Sequence, residues 1–279
     1  VIAVKICGEY GVIARQMSIE SKNIPPSDLK TYEAILCYYA FNASFSKMTF
    51  FKALQAHEQA IVTEPEKRIV RSMLARLYAT NHSLELFDAD TPLDKAEAFA
   101  EKGVELDPAN QRARVIMSYV LLLKNDLPYG LAEATRAISL NPNSLIMMAE
   151  LGYLLTLLGD WKRGPALIRK AILNNPYYDV TVHNALWLDW MHRRDYENAY
   201  AETLKSRTPL LFWDPLIKAV SLSLLGRLNK GRKAVNDLLK LKPDFSTRGR
   251  ILIKHYIKFD DIIGQMVEGL KKVGLNIVK

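Results

Sequence analysis

The stretch GLAEATRAISLNP at residues 130–142 decides how this chain is read, because it returns one period later as GPALIRKAILNNP at 164–176. Both begin with glycine, carry alanine at the eighth place and end in Asn-Pro, with apolar residues at helical spacing between. Earlier members are ALQAHEQAIVTEP (53–65) and AEAFAEKGVELDP (96–108), and a later one is GRKAVNDLLKLKP (231–243). With a degenerate member ending at Pro209, the closing prolines are separated by 43, 34, 34, 33 and 34 residues. The period is therefore 34, one repeat carries about nine extra residues, and the chain reads as a supersecondary unit used several times over.

Each recurring feature has a physical use. Proline closes the unit because the residue before it is driven out of the α region. The small residues Ala53, Ala96, Gly130, Gly164 and Gly231, with Ala60, Gly103, Ala137 and Ala171 seven places on, lie along one helix and let it cross its neighbours closely. Leu186 and Leu238 stand where small residues are expected, so the later repeats are less regular. Turns are marked by Asn125-Asp126, Gly159-Asp160, Arg194-Asp195 and Gly226-Arg227, where glycine suits a helix C-cap and aspartate caps the helix that follows. The pattern predicts helical hairpins, hence an all-α fold with almost no strand.

These residues resemble the tetratricopeptide repeat, whose pattern is small residues at the eighth, twentieth and twenty-seventh positions and proline at the thirty-second. Ser118 and Gly152 fill the eighth position. The resemblance covers residues 27–243, about six repeats, and implies a right-handed superhelical solenoid of hairpins. Residues 244–279 supply two more helices, Phe245 to Ile257 and Asp260 to Val273, read as a cap, and the extra residues of the second repeat, around Asn81 to Thr91, read as a loop. A narrower resemblance rests on Tyr10 to Ala14, the Leu-Phe-Trp-Asp-Pro run at 211–215 and Glu268 to Leu275. These runs are similar to the C-terminal repeats of multidomain bacterial regulators, where the repeats follow a nucleotidyl cyclase or a winged-helix DNA-binding domain, often with a TolB-like segment between. Residues 1–26 are then a helical linker from a preceding domain, and a chain opening on Val1 reads as a piece of a longer one.

Composition narrows the function classes. With 49% hydrophobic and 24% charged residues in 279, disorder and collagen are excluded, and no apolar run is long enough for a membrane span. Two cysteines, Cys7 and Cys37, are too few for a disulfide framework and suit a cytoplasmic setting. The net charge of +8 belongs wholly to residues 227–279, which carry 13 bases against 5 acids. Such an end either attracts an acidic partner or is the solvated face of a cap. There is no phosphate loop, no nucleophile elbow and no metal-spaced histidine pair, while Asp88 and Asp90 open a calcium-like run that Pro92 interrupts. The chain is expected to be no enzyme, to use no cofactor and to bind no nucleic acid directly.

In a hairpin solenoid the first helices line the concave wall, so the second, fifth, ninth and twelfth places of each repeat are expected to face a groove. They give Tyr38, Asn42, Arg76, Arg112, Tyr119, Tyr153, His183, Trp187 and Trp190. Aromatic and amide groups in such a trough suit a peptide or docked helix, although Tyr119, Tyr153 and Trp187 could equally pack between hairpins. The Lys/Asn carboxylate clamp of chaperone-binding members is not recognisable. The expected function is a protein-interaction and regulatory module that binds a peptide or its own N-terminal effector domains. The alternative is a small-molecule sensor controlling an upstream cyclase or DNA-binding effector.

Overall fold

The computed structural model describes residues 31–88, 90, 92–175 and 178–278. Expectations for residues 1–26, and for Ala89 and Thr91 of the extra loop, lie outside them. Among the described residues there are fourteen α-helices and no strand. They are α1 (Thr31–Ser44), α2 (Lys47–Thr63), α3 (Ile69–Leu84), α4 (Leu93–Leu106), α5 (Gln111–Leu123), α6 (Leu127–Leu140), α7 (Leu145–Leu157), α8 (Arg163–Asn174), α9 (Val182–His192), α10 (Tyr196–Thr203), α11 (Trp213–Leu224), α12 (Leu228–Leu241), α13 (Phe245–Tyr256) and α14 (Asp260–Lys272). The chain forms two compact units, the first holding residues up to Leu154 with Arg169–Tyr178, the second Leu155–Ile168 with Asp179 onward.

In the first unit α1 packs on α2, α3 on α4 and α5 on α6, and each hairpin packs on the next. The small residues sit at the crossings. A methyl group added at Gly103 would lie 2.2 Å from the Ser72 Oγ, and the Ser118 hydroxyl donates to the Gly130 carbonyl at 2.8 Å. The turns share one construction. Asn125, Gly159, Arg194 and Gly226 all have positive φ, and the next residue's N–H reaches back to a carbonyl five places earlier, as from Asp126 to Leu121 and from Arg227 to Leu222. This is the left-handed C-cap that ends a helix while satisfying its last carbonyls. Asp160 and Asp195 then cap the following helix through the N–H groups of Arg163 and Asn198.

The second repeat departs from the reading of its extra residues. Asn81 to Leu84 are helical, so α3 has 16 residues where α5 has 13, and the chain leaves the helix at Glu85 with φ 47. Two bonds fix this exit: the Asn81 side chain donates to the Phe87 carbonyl at 3.1 Å and accepts from its N–H at 3.0 Å. Ser83 is buried and bonds the Tyr119 hydroxyl at 3.0 Å.

In the second unit α9 packs on α10 and α11 on α12, and α14 lies against α11. Here α10 is cut to eight residues. The connection around Pro209 is tied down instead by the Asp214 carboxylate, which accepts from the Ser206 hydroxyl and from the Thr208 hydroxyl and N–H. Two helices stand at 245–256 and 260–272, within a residue of the spans predicted from apolar spacing. No helix of the described residues is long and apolar enough to cross a membrane.

His57 on α2 is fully buried, its Nδ1 placed 2.7 Å from the Ala53 carbonyl. Burial pulls its pKa down to about 4 from the ordinary 6.5, against the opposing effect of that bond. Because the folded value is depressed, the native chain is favoured fully above pH 6.5 and loses stability as pH falls from there toward 4. The loss is expected to reach about 3 kcal/mol, at 1.36 kcal/mol per unit. Urea denaturation of the parent and of His57→Leu at pH 7 and pH 4.5 checks this: the variant should lose clearly less stability between the two pH values.

Candidate functional site

The first helices α1, α3, α5 and α7 of the first unit bring a polar cluster together. Arg76 on α3 pairs with Glu150 on α7 at 2.9 Å, and its guanidinium lies 4.2 Å from the ring centroid of Tyr119 on α5. The Tyr119 ring is held in turn by its hydroxyl contact with Ser83. Arg112 on α5 feels the same carboxylate: burial lowers its pKa, and Glu150 pulls it back up. Tyr39 on α1 has its phenol pushed well above its ordinary value by burial, then by Tyr38 and by Glu150. One carboxylate thus stands at the focus of two guanidinium groups and a phenol carried by four helices. A cation held between an aromatic face and a carboxylate is fixed on two sides.

Of the residues expected in the groove, Asn42, Arg76, Arg112 and Tyr153 are half-buried in the first unit, and Trp190 is half-buried in the second, where the Arg193 guanidinium lies 5.5 Å from its ring. Tyr38, Tyr119, His183 and Trp187 are at most 7% exposed. They serve packing and internal hydrogen bonds. The Trp187 indole N–H donates to Ser221 Oγ at 2.9 Å, and His183 Nδ1 donates to Glu202 at 2.6 Å. Burial opposes the charge of Glu202, but the bonds from His183 and Lys205 outweigh it and hold its carboxyl below the ordinary value.

Tyr39 and Glu150 were missed by the sequence frame. Both occupy the sixth place of their repeat, which shares an i, i+4, i+7 stripe with the second and ninth. Among the fifth and twelfth places, Val115, Leu122 and Thr156 are fully buried, while Ala149 and Trp190 are half-buried. The signal was available, since Arg112, Glu150, Arg76 and Tyr153 all fall on second, sixth or ninth places.

Comparison with solved structures fits the hairpin geometry. A tetratricopeptide repeat protein from Parabacteroides merdae is similar over 92% of this chain and 91% of its own, with a TM-score of 0.53 at 9% identity. The fold is that of the tetratricopeptide repeat. Human IFIT1, solved as a dimer with m7Gppp-AAAA, is similar with a TM-score of 0.64 at 14% identity, over 88% of this chain. This chain spans 59% of the length of that protein. PilW, a type IV pilus biogenesis factor, gives a TM-score of 0.51 at 12% identity, over 84% of this chain and 95% of its own. No protein-family model matches the sequence, and no curated protein matches it.

Proposed function

We propose that this chain is a protein-interaction module whose binding surface is the wall of first helices in the first unit, and that its ligand is an extended peptide or a docked helix. The observation that carries the reading is the convergence of Arg76, Arg112 and Glu150 from three successive repeats, with Tyr153 half-exposed on α7. Pre-fixed polar groups beside an aromatic face give a peptide both register and contact area at low entropic cost. The resemblance to bacterial regulators supports a wider setting: a cytoplasmic signalling or transcription regulator in which the module binds its effector domains and carries no catalysis of its own.

The test is a selection of random peptides on the purified chain, followed by calorimetric titration of the recovered sequences. Parent protein should bind them with Kd in the micromolar range, and the double variant Arg112→Ala with Tyr153→Ala should lose at least about tenfold while keeping its helical circular dichroism, as truncated anchors do. Equal binding by the double variant would remove the wall from consideration. Recovery of no peptide, together with saturable uptake of a metabolite in the same titration, would favour a small-molecule sensor instead.

A further inference from the structure

The extra residues of the second repeat lengthen α3 by a turn, and that turn ends against the first helix of the next repeat. With each repeat counted from the third residue after a proline, Ser83 stands at the sixteenth place. In the third repeat the sixteenth place is Asp126, outside α5 in the turn, whereas Ser83 is helical and fully buried. There it bonds the hydroxyl of Tyr119, the ninth residue of the next repeat, at 3.0 Å. Ser83 also donates to the Thr80 carbonyl at 3.2 Å. A serine hydroxyl has one proton, so Tyr119 is the donor in its bond to Ser83. The next ninth residue along, Tyr153, follows a repeat without the extra turn and is half-buried, against 2% exposure for Tyr119. The exit of the lengthened helix is itself held: the Asn81 side chain bonds both backbone groups of Phe87, whose ring lies 5.0 Å from that of Phe50 on α2.

We propose that this extra turn is a positioning element for the wall of first helices, in which Ser83 orients Tyr119, Tyr119 carries Arg76, and Asn81 keeps the turn in place. The inference rests on the wall being the binding surface and adds the residues outside the wall that fix its geometry. The contacts run from one residue to the next without a gap. The bond to Ser83 pins the far end of the Tyr119 side chain, so the ring stays beneath Arg76, whose guanidinium lies 4.2 Å from the ring centroid and 2.9 Å from Glu150. Hydrogen bonds in series polarise one another, and donation by the phenol raises the electron density of the ring that the guanidinium covers. A cation held in this way needs no ordering when a ligand arrives, which lowers the entropic cost of binding. Ser83 and Asn81 are positioning residues: they act through Tyr119 and Arg76 and touch no ligand themselves.

The experiment reads Arg76 and the ligand separately. In nuclear magnetic resonance the Arg76 Nε–H signal, assigned by its loss in Arg76→Lys, is expected to be displaced in the parent chain by the Tyr119 ring. It should move toward the position of a free arginine in Ser83→Ala and in Tyr119→Phe, and part of the way in Asn81→Ala. The peptides selected on the parent chain should bind Ser83→Ala about three- to tenfold more weakly, the effect of one lost hydrogen bond. In an Arg76→Ala background the same substitution should change Kd by less than about twofold, because the path from Ser83 to the ligand is already cut. A merely structural role for Ser83 gives the full loss in both backgrounds and overturns the proposal. An Arg76 signal unmoved by both Ser83→Ala and Tyr119→Phe overturns it as well. If no peptide binds the parent chain, the wall reading fails, and the Arg76 signal alone still decides whether Ser83 positions that residue.

Discussion

Deleting residues 244–279 is expected to yield a chain that aggregates at temperatures where the parent stays folded. The deleted segment is packed against α11 and α12 at several points. Ser223 donates to the Gly269 carbonyl at 2.6 Å, and a methyl group at Gly231 would lie 2.6 Å from Val273. Phe245 and Tyr256 close over Phe212 and Trp213. Removing them exposes Trp213 and Val220, at present 6% and 0% accessible, on a repeat whose apolar face has no other cover among these contacts. Size-exclusion chromatography with a thermal melt decides the matter. A truncated chain that elutes free of aggregates with an unchanged Tm would show that the last two helices are dispensable.

Trp187→Ala should cost about 3–5 kcal/mol, the range for emptying a large aromatic from a core. Trp187 is 1% exposed, and its indole is anchored by the bond to Ser221, so the substitution leaves a cavity and removes a hydrogen bond between α9 and α11. Ser221 keeps a partner in the Ile217 carbonyl, which limits the penalty on the hydroxyl itself. Trp187→Phe should therefore recover much of the loss. Urea denaturation followed by circular dichroism measures both variants. Native stability in Trp187→Ala would mean that the indole lies at a surface, where it could serve as a binding anchor after all.

The repeat was legible because its signals are local. Prolines, turn residues and small crossing residues each act within a few positions, and they placed the helix pairs, the left-handed turns at Asn125 and Gly226, and the two helices after Pro243. What was not legible depends on contacts between repeats. The frame put fifth and twelfth places in the groove, yet Val115 and Leu122 are fully buried. Nothing in the spacing of Arg76 and Glu150, separated by 74 residues, announces a pair, since it forms only through the tertiary arrangement of three first helices. The extra helical turn ending at Leu84 was missed for a similar reason: the Asn81 clamp on Phe87 and the Ser83 contact with Tyr119 override polar residues that otherwise suggest a loop.

The Arg76–Glu150 contact also has a mechanical meaning. It joins α3 to α7, two first helices with α5 between them. Helix axes packed side by side lie about 8–10 Å apart, so two helices with a third between them stand up to about 16–20 Å from each other, a span that takes nearly the full length of an arginine and a glutamate. The bridge therefore ties together two helices that are not neighbours in the wall. A force or ligand that draws α3 and α7 apart must first open this tie, whose strength is expected to fall as salt rises.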